Sequence, residues 1–170
     1  MSLDEVIFVE ENGVGIITLN RPERLNAITH PMVKKINHHL NVWEKNDGIK
    51  CIIIEGAGDR SFCAGGDVVK LRKEVLEAGG PPTDLSRSFF YDEYTLNYKI
   101  SNYSKPFIAL INGFTMGGGV GISMHGSHVV ASEKTMFAMP ETAIGLFPDV
   151  GGGWLLGQLD RGVGAWLGLV

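Results

Sequence analysis

Two carboxylates in residues 139–153 are the side chains of this sequence best placed for acid–base chemistry. Glu141 follows a proline and precedes Thr-Ala-Ile, and Asp149 lies between Phe-Pro and Val-Gly. Because the segment is otherwise almost wholly apolar or glycine, we expect both acids to be poorly solvated. Desolvation raises the pKa of a carboxyl group and suits it to proton transfer or nucleophilic attack. The alternative is that each acid caps a short turn by accepting backbone N–H bonds.

Glycine is the unusual feature of the composition. The 170 residues include 23 glycines, well above the average usage of roughly 7%, and they cluster at residues 56–66, 113–121 and 145–157. The loops at 64–66 and 117–119 each follow a predicted buried strand, and backbone N–H groups from two such loops can form an oxyanion hole. Tight packing of helix against strand is the alternative use of these glycines. Neither of the nucleotide-binding patterns, Gly-x-x-x-x-Gly-Lys and Gly-x-Gly-x-x-Gly, is present in the sequence.

A third acid, Glu93, falls among apolar residues on one face of a predicted helix. Leu85, Phe89, Leu96 and Ile100 recur at helical spacing and define that face. Because a carboxylate on an inner face needs a partner or a role, we interpret Glu93 as a candidate site residue. The alternative is that it reaches from the edge of the face toward a lysine or an arginine.

Other reactive side chains carry weaker signals. His125 and His128 have the i, i+3 spacing of a ligand pair, but no third ligand accompanies them, so a metal site is not expected. Cys63 lies in a glycine loop without an assignable histidine partner, and packing of its small apolar side chain explains it better. Basic residues flank the first loops and are either solvated or facing a phosphorylated ligand. These residues are Arg21, Arg24, Lys70, Arg72 and Lys73.

The order of predicted elements indicates an α/β fold with largely buried strands. Strands are predicted over residues 6–9, 14–19, 51–54, 107–111, 129–131 and 135–138. Helices are predicted between Thr29 and Gly48, from Asp84 to about Asn102, from the triple glycine to about His125, from Gly152 to Leu159 and from Gly164 to Leu169. Asn12-Gly13 joins the first two strands as a hairpin. Residues 67–82 are predicted to be the least ordered stretch.

Length, composition and charge limit the kinds of molecule that the protein is expected to bind. The length, a hydrophobic content of 44% and a charged content of 20% fit one globular domain over residues 1–170. A net charge of −4 gives no footprint for nucleic acid. No apolar run approaches the roughly 18 residues of a membrane span, and no secretory signal is recognisable. We therefore expect a cytoplasmic protein, or a mature organellar form such as one from the mitochondrial matrix. The chain stops inside an apolar run, residues 165–170, so we expect it to be the N-terminal part of a longer protein.

Four segments together resemble the crotonase (enoyl-CoA hydratase/isomerase) superfamily. They are Leu19-Asn20-Arg21-Pro22-Glu23-Arg24-Leu25-Asn26-Ala27, Phe62-Cys63-Ala64-Gly65-Gly66-Asp67, Asn112-Gly113-Phe114-Thr115-Met116-Gly117-Gly118-Gly119 and Pro140-Glu141. They stand in the order of the family and span most of the chain. The resemblance implies a crotonase-like spiral of ββα units that binds acyl-CoA thioesters as a homo-oligomer, a trimer or a hexamer. The C-terminal helices typical of the family would lie beyond residue 170.

Position 121 separates the activities within the family. Gly121 stands where enoyl-CoA hydratases place the first of two catalytic glutamates, a pair that holds and splits water. The sequence is similar instead to the hydrolase subgroup, with which it shares Phe89-Phe90-Tyr91-Asp92-Glu93-Tyr94 and the extended segment 140–153. The resemblance therefore implies hydrolysis of an acyl-CoA thioester, with 3-hydroxyisobutyryl-CoA of valine breakdown as the substrate. The alternatives are an enoyl-CoA hydratase or isomerase working with one acid, and a non-catalytic fragment that binds coenzyme A.

The resemblance also implies a role for each matching residue. The backbone N–H groups of Gly66 and Gly118 would polarise the thioester carbonyl, while Glu141 would attack it or activate water. Asp149 would bind the substrate hydroxyl or assist proton transfer, and Glu93 would line the acyl pocket. The residues implied to hold the adenine and phosphate end of coenzyme A are Glu23, Arg24, Leu25, Ala64, Gly66 and Val68. No metal and no separate cofactor is implied, because coenzyme A enters as part of the substrate.

Overall fold

The computed structural model describes residues 4–80 and 82–169, and within them lie eight strands and six α-helices. The strands are β1 Val6–Glu11, β2 Val14–Leu19, β3 Cys51–Gly56, β4 Ser61–Cys63, β5 Phe107–Ile111, β6 Phe114–Met116, β7 His128–Ala131 and β8 Met136–Ala138. The helices are α1 His30–Lys45, α2 Val68–Glu77, α3 Asp84–Ser101, α4 Gly118–Ser123, α5 Gly152–Gly157 and α6 Val163–Leu169. Short 3₁₀ turns cover Pro22–Arg24, Pro140–Ile144 and Asp160–Gly162.

The strands form two sheets that the chain visits in turn. Five strands follow the order β1-β2-β3-β5-β7, and three follow the order β4-β6-β8. β1 and β2 pair antiparallel across Asn12-Gly13, as predicted, and the other neighbours are parallel. From β3 onward, each two consecutive strands contribute one strand to each sheet before the chain enters a helix. This arrangement is the spiral of ββα units that the resemblance implied, so the predicted fold class is confirmed.

The first predicted helix is confirmed as α1, with one buried face. Thr29 is its N-cap and accepts a hydrogen bond from the Met32 N–H, and Pro31 occupies the first turn, where no N–H partner is required. The buried residues of the helix are Met32, Val33, Ile36, Leu40 and Trp43. They pack in one core cluster with inward side chains of β2, β3 and β5, which fixes the helix against the larger sheet.

Helix α3 carries the acid that falls on the predicted apolar face. A capping box begins the helix: the Thr83 hydroxyl accepts from the Ser86 N–H, and the Ser86 hydroxyl accepts from the Thr83 N–H. The buried residues of the helix are Phe89, Glu93, Leu96, Asn97 and Ile100. Glu93 therefore lies on the inner face and not at its edge. Neither α3 nor any other helix in the described part of the chain is apolar enough over a sufficient length to cross a membrane.

Residues 67–82 are more ordered than predicted. Val68–Glu77 forms α2, although this helix buries none of its residues. Val68, Leu71 and Val75 do recur at helical spacing, but the many charged residues between them and the Gly79-Gly80-Pro81-Pro82 stretch that follows lead to the expectation of disorder. Pro81, which belongs to the stretch predicted to be least ordered, lies outside the described residues. The strands β4 and β6 are absent from the prediction because three residues each are too few to show an alternating pattern.

Later elements also differ from their predicted limits and burial. Helix α4 ends at Ser123 instead of continuing to His125, and α5 ends at Gly157 instead of Leu159. Glycines inside both helices weaken the helical propensity from which an end is predicted. β7 departs from the expectation of buried strands, since it is exposed along its whole length. The reason is its position at the edge of the five-stranded sheet.

Candidate active site

Two glycine loops meet at the carboxyl ends of neighbouring strands of the smaller sheet. β4 leads into Gly65 and Gly66, and its parallel neighbour β6 leads into Gly117 and Gly118. A β-carbon built on Gly118 would lie 3.2 Å from the Gly66 nitrogen, and one built on Gly65 would lie 3.6 Å from the Gly118 nitrogen. The structure therefore brings together the two loops that the sequence nominated.

The backbone N–H groups of Gly66 and Gly118 are not used by the fold. The Gly65 carbonyl accepts from the Ile28 N–H, and the Asp67 N–H donates to the Ile28 carbonyl. Because successive residues of an extended chain point in alternate directions, the Gly66 N–H between them points away from Ile28. Gly118 is the first residue of α4, where N–H groups have no partner within the helix. Neither N–H donates to a protein acceptor in the described part of the chain, so both are available to a ligand oxygen.

Glu141 approaches the same loops from the 3₁₀ turn that follows β8, the third strand of the smaller sheet. A β-carbon on Gly117 would lie 2.6 Å from Glu141 Oε1. Gly117 has φ +49° and ψ −121°, a conformation that glycine adopts more readily than any other residue. Both the close approach and the backbone conformation exclude a side chain at position 117. As a result, the Glu141 carboxyl group and the unpaired N–H groups share one site.

Glu93 enters the site from α3. Its Oε1 atom would lie 2.5 Å from a β-carbon on Gly118, and the residue is 2% exposed. Among the described residues, Oε1 has no hydrogen-bond partner. Burial, followed by the charges of Asp149 and Glu141, raises the pKa of Glu93 to about 8. The Glu93 carboxyl group therefore keeps its proton at neutral pH.

Glu141 is also removed from water. The residue is 7% exposed, and its Oε2 atom has no hydrogen-bond partner within the described residues. Burial raises the pKa of Glu141, a hydrogen bond with its own backbone opposes this rise, and the Asp149 charge adds to it. The expected poor solvation of this acid is confirmed. Its carboxyl group exchanges a proton at a higher pH than an ordinary glutamate does.

The expectation of poor solvation is not met by Asp149, which is only half-buried and accepts a hydrogen bond. Its Oδ2 atom accepts the Tyr94 hydroxyl at 2.6 Å. The next residue, Val150, has φ +45°, a left-handed conformation that costs a non-glycine residue about 1–3 kcal/mol. The His125 Nε2–H donates to the Val150 carbonyl at 2.6 Å and holds this turn. Contacts from two other parts of the chain thus fix the position of Asp149.

Asn97 and Val150 fill the space beside Gly121. A β-carbon on Gly121 would lie 2.7 Å from Val150 Cβ, 2.8 Å from Asn97 Nδ2 and 2.9 Å from Asn97 Oδ1. Asn97 is 5% exposed, and neither of its amide atoms has a hydrogen-bond partner in the described part of the chain. Position 121 has no room for a side chain in this arrangement. A second acid at that position is therefore sterically excluded as well as absent.

A cavity of about 690 Å³ opens beside Asp149. It lies between α3, which contributes Tyr94 and Tyr98, and the segment 147–154, which contributes Asp149 and Trp154. The cavity includes neither Glu141 nor the two glycine loops. The close contacts among the glycines and acids, and not the size of this cavity, therefore define the candidate site, and the cavity adjoins it at Tyr94 and Asp149.

A basic cleft of about 400 Å³ also borders Gly66. The cations that line it are Arg21, Arg24, Lys70 and Lys73. Arg24 and Lys70 make no ion pair with any of the described residues. Unpaired cations beside a backbone N–H suit the cleft to a ligand that carries phosphate groups.

The residues implied to hold coenzyme A lie at this cleft in part. Those that line it are Arg24, Gly66 and Val68, and those that do not are Glu23, Leu25 and Ala64. The Ala64 N–H donates to the Leu25 carbonyl at 3.0 Å, so the two segments that carry all six residues are adjacent. The structure therefore brings the two segments together, although half of the set does not line the cleft.

The described residues give little support for a reactive cysteine or for a metal site. Burial raises the pKa of Cys63 to about 12, so the thiol does not ionise near neutral pH. The side chain is completely buried, which agrees with a packing role. Within residues 4–80 and 82–169, no group of three or more His, Cys, Asp and Glu side chains is arranged to hold a metal ion.

Three neighbours of the acids are not identified by the sequence. Asn97 carries a usable signal, because it follows Glu93 by one helical turn on the same apolar face. Tyr94 has none, since its partner Asp149 is 55 residues away. The left-handed conformation of Val150 is rare for a β-branched residue, and no propensity rule predicts it.

The fold and the site together are those of one protein family. Residues 14–170 match the family described as Enoyl-CoA hydratase/isomerase. The chain therefore belongs to this family, and the resemblance inferred from its four sequence segments is confirmed.

Curated relatives narrow the comparison. The chain is 52% identical over 165 residues to the mitochondrial 3-hydroxyisobutyryl-CoA hydrolase of Danio rerio, an alignment that covers 97% of this chain and 42% of the relative. It is 48% identical over 166 residues to the protein of the same name from Homo sapiens, which covers 98% of this chain and 42% of the relative. The chain thus spans less than half the length of these relatives.

Two solved structures share the fold but belong to proteins that are named for other activities. A carnitinyl-CoA dehydratase from Mycobacterium thermoresistibile superposes with a TM-score of 0.93 at 40% identity, over 98% of this chain and 48% of that chain. An enoyl-CoA hydratase from Rhodobacter sphaeroides superposes with a TM-score of 0.90 at 40% identity, again over 98% and 48%.

Proposed function

We propose that this protein hydrolyses acyl-CoA thioesters, with 3-hydroxyisobutyryl-CoA as the substrate and 3-hydroxyisobutyrate and coenzyme A as the products. One observation carries the proposal: the unpaired N–H groups of Gly66 and Gly118 belong to two adjoining loops, and the Glu141 carboxyl group contacts one of these loops at Gly117. The names of the curated relatives support the same activity.

In the proposed reaction, the thioester carbonyl oxygen accepts hydrogen bonds from the Gly66 and Gly118 N–H groups. The oxygen becomes negatively charged as the carbonyl carbon turns tetrahedral. Two fixed donors stabilise that charge more strongly than they stabilise the uncharged substrate, and this difference lowers the barrier. The protonated Glu93 side chain beside Gly118 is uncharged and therefore does not repel the negative charge that develops on the carbonyl oxygen.

Ionised Glu141 starts the reaction. Acting as a general base, its carboxylate accepts a proton from water while the water oxygen bonds to the carbonyl carbon. The C–S bond then breaks, and the thiolate of coenzyme A takes that proton from Glu141. Direct attack by the Glu141 carboxylate, through an anhydride, is the covalent alternative. Label found in the Glu141 carboxyl group after single turnovers in isotopically labelled water would identify the covalent route.

Asp149 is the proposed partner of the substrate hydroxyl. Its Oδ2 atom is occupied by the Tyr94 hydroxyl, and its Oδ1 atom remains as an acceptor. The residue borders the 690 Å³ cavity, which supports access for an acyl chain from that side. A carboxylate oxygen accepts hydrogen bonds, so a donor such as the substrate hydroxyl suits this atom.

The basic cleft is the proposed site for the phosphate groups of coenzyme A. Arg24 and Lys70 supply unpaired positive charge there. Gly66 borders this cleft and also contributes an N–H to the thioester site. A single ligand can therefore extend from the cleft to the carbonyl-binding loops.

A hydratase is the second candidate function, since the two similar solved structures are those of a dehydratase and a hydratase. Adding water across a double bond with two carboxylates needs a second acid near Glu141. Gly121 does not supply one, and the surrounding Asn97 and Val150 leave no space for it. The local geometry therefore favours hydrolysis over hydration.

Assembly and compartment are further parts of the proposal. A homotrimer or hexamer stays a prediction, which light scattering of the complete protein measures. The expected cytoplasmic location is not confirmed. The word mitochondrial in the names of the curated relatives supports the matrix alternative.

Product analysis of the complete protein tests the proposed reaction. The protein is incubated with 3-hydroxyisobutyryl-CoA or with crotonyl-CoA, and both the released thiol and the mass of the acyl product are followed. We expect thiol release from the first ester and no hydration of the second. Hydration of crotonyl-CoA without thiol release would establish the hydratase instead. Binding of coenzyme A without turnover of either ester would establish the non-catalytic alternative.

A further inference from the structure

Tyr94 links Asp149, the acid at the edge of the cavity, to helix α3, which also carries the buried Glu93. Its hydroxyl donates to Asp149 Oδ2 at 2.6 Å, and the residue follows Glu93 directly on α3. Tyr94 is 40% exposed and lines the cavity that Asp149 borders. The hydrogen bond therefore lies where an acyl chain in the cavity would meet Asp149.

The position and the protonation of Tyr94 are both constrained. Its ring lies 5.8 Å from that of Phe90, centroid to centroid, one helical turn earlier. Burial, followed by the hydrogen bond to Asp149, raises the pKa of Tyr94 above its ordinary value. The phenol therefore keeps its proton at neutral pH and acts as a donor.

Asp149 needs such a donor to have a defined orientation. The χ2 torsion of an aspartate has a broad, roughly two-fold profile, so the plane of its carboxylate is not fixed by the side chain itself. Within the described residues, Tyr94 supplies the only side-chain hydrogen bond to this carboxylate. With Oδ2 held by Tyr94, Oδ1 is the atom left for a ligand.

We infer that Tyr94 is a positioning residue that orients Asp149 toward a hydroxyl group on the acyl chain and thereby sets a preference for 3-hydroxyacyl over unsubstituted acyl thioesters. This inference rests on the proposed thioesterase function. A substrate hydroxyl donates to Asp149 Oδ1, whereas an acyl chain without a hydroxyl leaves that oxygen desolvated and unpaired. Sites built to bind a hydroxyl reject the analogue that lacks it for this reason.

The test compares 3-hydroxyisobutyryl-CoA with isobutyryl-CoA, which differs by the one hydroxyl group. Tyr94→Phe removes a single oxygen from a partly exposed residue, and thermal unfolding verifies that the variant is folded. We expect kcat/KM for the hydroxylated ester to fall about tenfold, the worth of one hydrogen bond to a charged group, and kcat/KM for isobutyryl-CoA to stay within about twofold. Tyr91→Phe is the matched control, because Tyr91 lies on the same helix, is 73% exposed and does not line the cavity.

A double-mutant cycle with Asp149→Asn separates positioning from a general structural effect. Asp149→Asn alone should lose the preference for the hydroxylated ester. Tyr94→Phe should then cause little further loss of that preference, because its effect passes through Asp149. A full additional loss in the Asp149→Asn background would overturn the inferred route.

The remaining outcomes distinguish the inference from the proposed function. If Tyr94→Phe lowered kcat/KM equally for both esters, or for neither, the role of Tyr94 would be overturned and the thioesterase proposal would stand. The same holds if the unmodified protein hydrolysed both esters equally well. If the unmodified protein released coenzyme A from neither ester, both the proposed function and the role of Tyr94 would be rejected.

Discussion

A β-carbon on Gly118 would lie 2.5 Å from Oε1 of Glu93, so the buried acid of α3 and the first residue of α4 meet because position 118 has no side chain. Carbon and oxygen atoms in ordinary contact are separated by about 3.5 Å. The contact places a protonated carboxyl group beside the N–H that is proposed to bind the carbonyl oxygen. Any side chain at position 118 must push one of these groups away.

Gly118→Ala should therefore reduce catalysis strongly. The added methyl group would also lie 3.2 Å from the Gly66 nitrogen, so it displaces donors as well as Glu93. Losing one oxyanion-hole donor costs about 10²–10³ in kcat, and we expect a loss of that size in the rate of thiol release. Gly157→Ala in α5 is the control, because a β-carbon there meets nothing within 4 Å. Near-normal kcat in Gly118→Ala would mean that Gly118 serves packing and that the carbonyl binds elsewhere.

Glu93 should make the free energy of unfolding depend on pH. Its pKa is raised from 4.5 to about 8 in the folded protein, so the folded state binds this proton more tightly than the unfolded chain does. The stabilisation of the folded state by this tighter proton binding is fully present below pH 4.5 and is lost as the pH rises through about 8. Each pKa unit corresponds to about 1.4 kcal/mol, so the loss amounts to a few kcal/mol.

Urea unfolding at several pH values between 5 and 8.5, on the order of half a unit apart, measures this dependence. Glu93→Gln should flatten the curve and make the protein more stable than the unmodified form at the alkaline end, since an amide stays neutral. Glu133→Gln, at an exposed position, should leave the curve unchanged. Identical curves for Glu93→Gln and the unmodified protein would contradict the raised pKa.

Glu141→Gln should lower kcat with little change in the affinity for coenzyme A. The amide retains the volume of the side chain but neither accepts the water proton nor attacks the carbonyl, so an interaction specific to the transition state is lost. In the unmodified protein, kcat should fall as the pH drops, and the fall should begin above the range of an ordinary glutamate because the pKa of Glu141 is raised. Thiol release across pH, with coenzyme A binding measured by calorimetry, tests both statements. A variant with undiminished turnover would remove Glu141 from the mechanism.

Much of the fold follows from local patterns in the sequence. The hairpin across Asn12-Gly13, the buried face of α1 and the limits of α3 are all close to their predicted positions, since each combines a clear turn or cap with regular apolar spacing. Helix α2 has apolar residues at helical spacing but buries none of them, and its charged composition hides that spacing. β4 and β6 are too short to show an alternating pattern, although the smaller sheet that they form aligns the two glycine loops.

The candidate site was predictable where a residue is chemically out of place. Glu93 on an apolar face and Glu141 in an apolar segment are of this kind, and both are buried in the structure. Contacts between residues far apart in the chain leave no comparable signal in the sequence. The hydrogen bond from Tyr94 to Asp149 joins residues 55 positions apart, and the space beside Gly121 is filled by Val150 in a backbone conformation that its residue type disfavours.

Replacing Gly121 tests whether the shape of the site, as well as the missing acid, prevents hydration. A β-carbon at position 121 would lie 2.7 Å from Val150 Cβ and 2.8 Å from Asn97 Nδ2, so Gly121→Ala should destabilise the fold by about 1–3 kcal/mol through overpacking. Gly121→Glu should destabilise it further and should not hydrate crotonyl-CoA, because its carboxylate cannot settle within hydrogen-bond reach of a water held by Glu141. Thermal unfolding and product mass spectrometry measure these effects, with Gly157→Ala as the unhindered glycine control. A Gly121→Glu protein that kept its stability and hydrated crotonyl-CoA would contradict the steric argument and show that the missing acid alone prevents hydration in the unmodified protein.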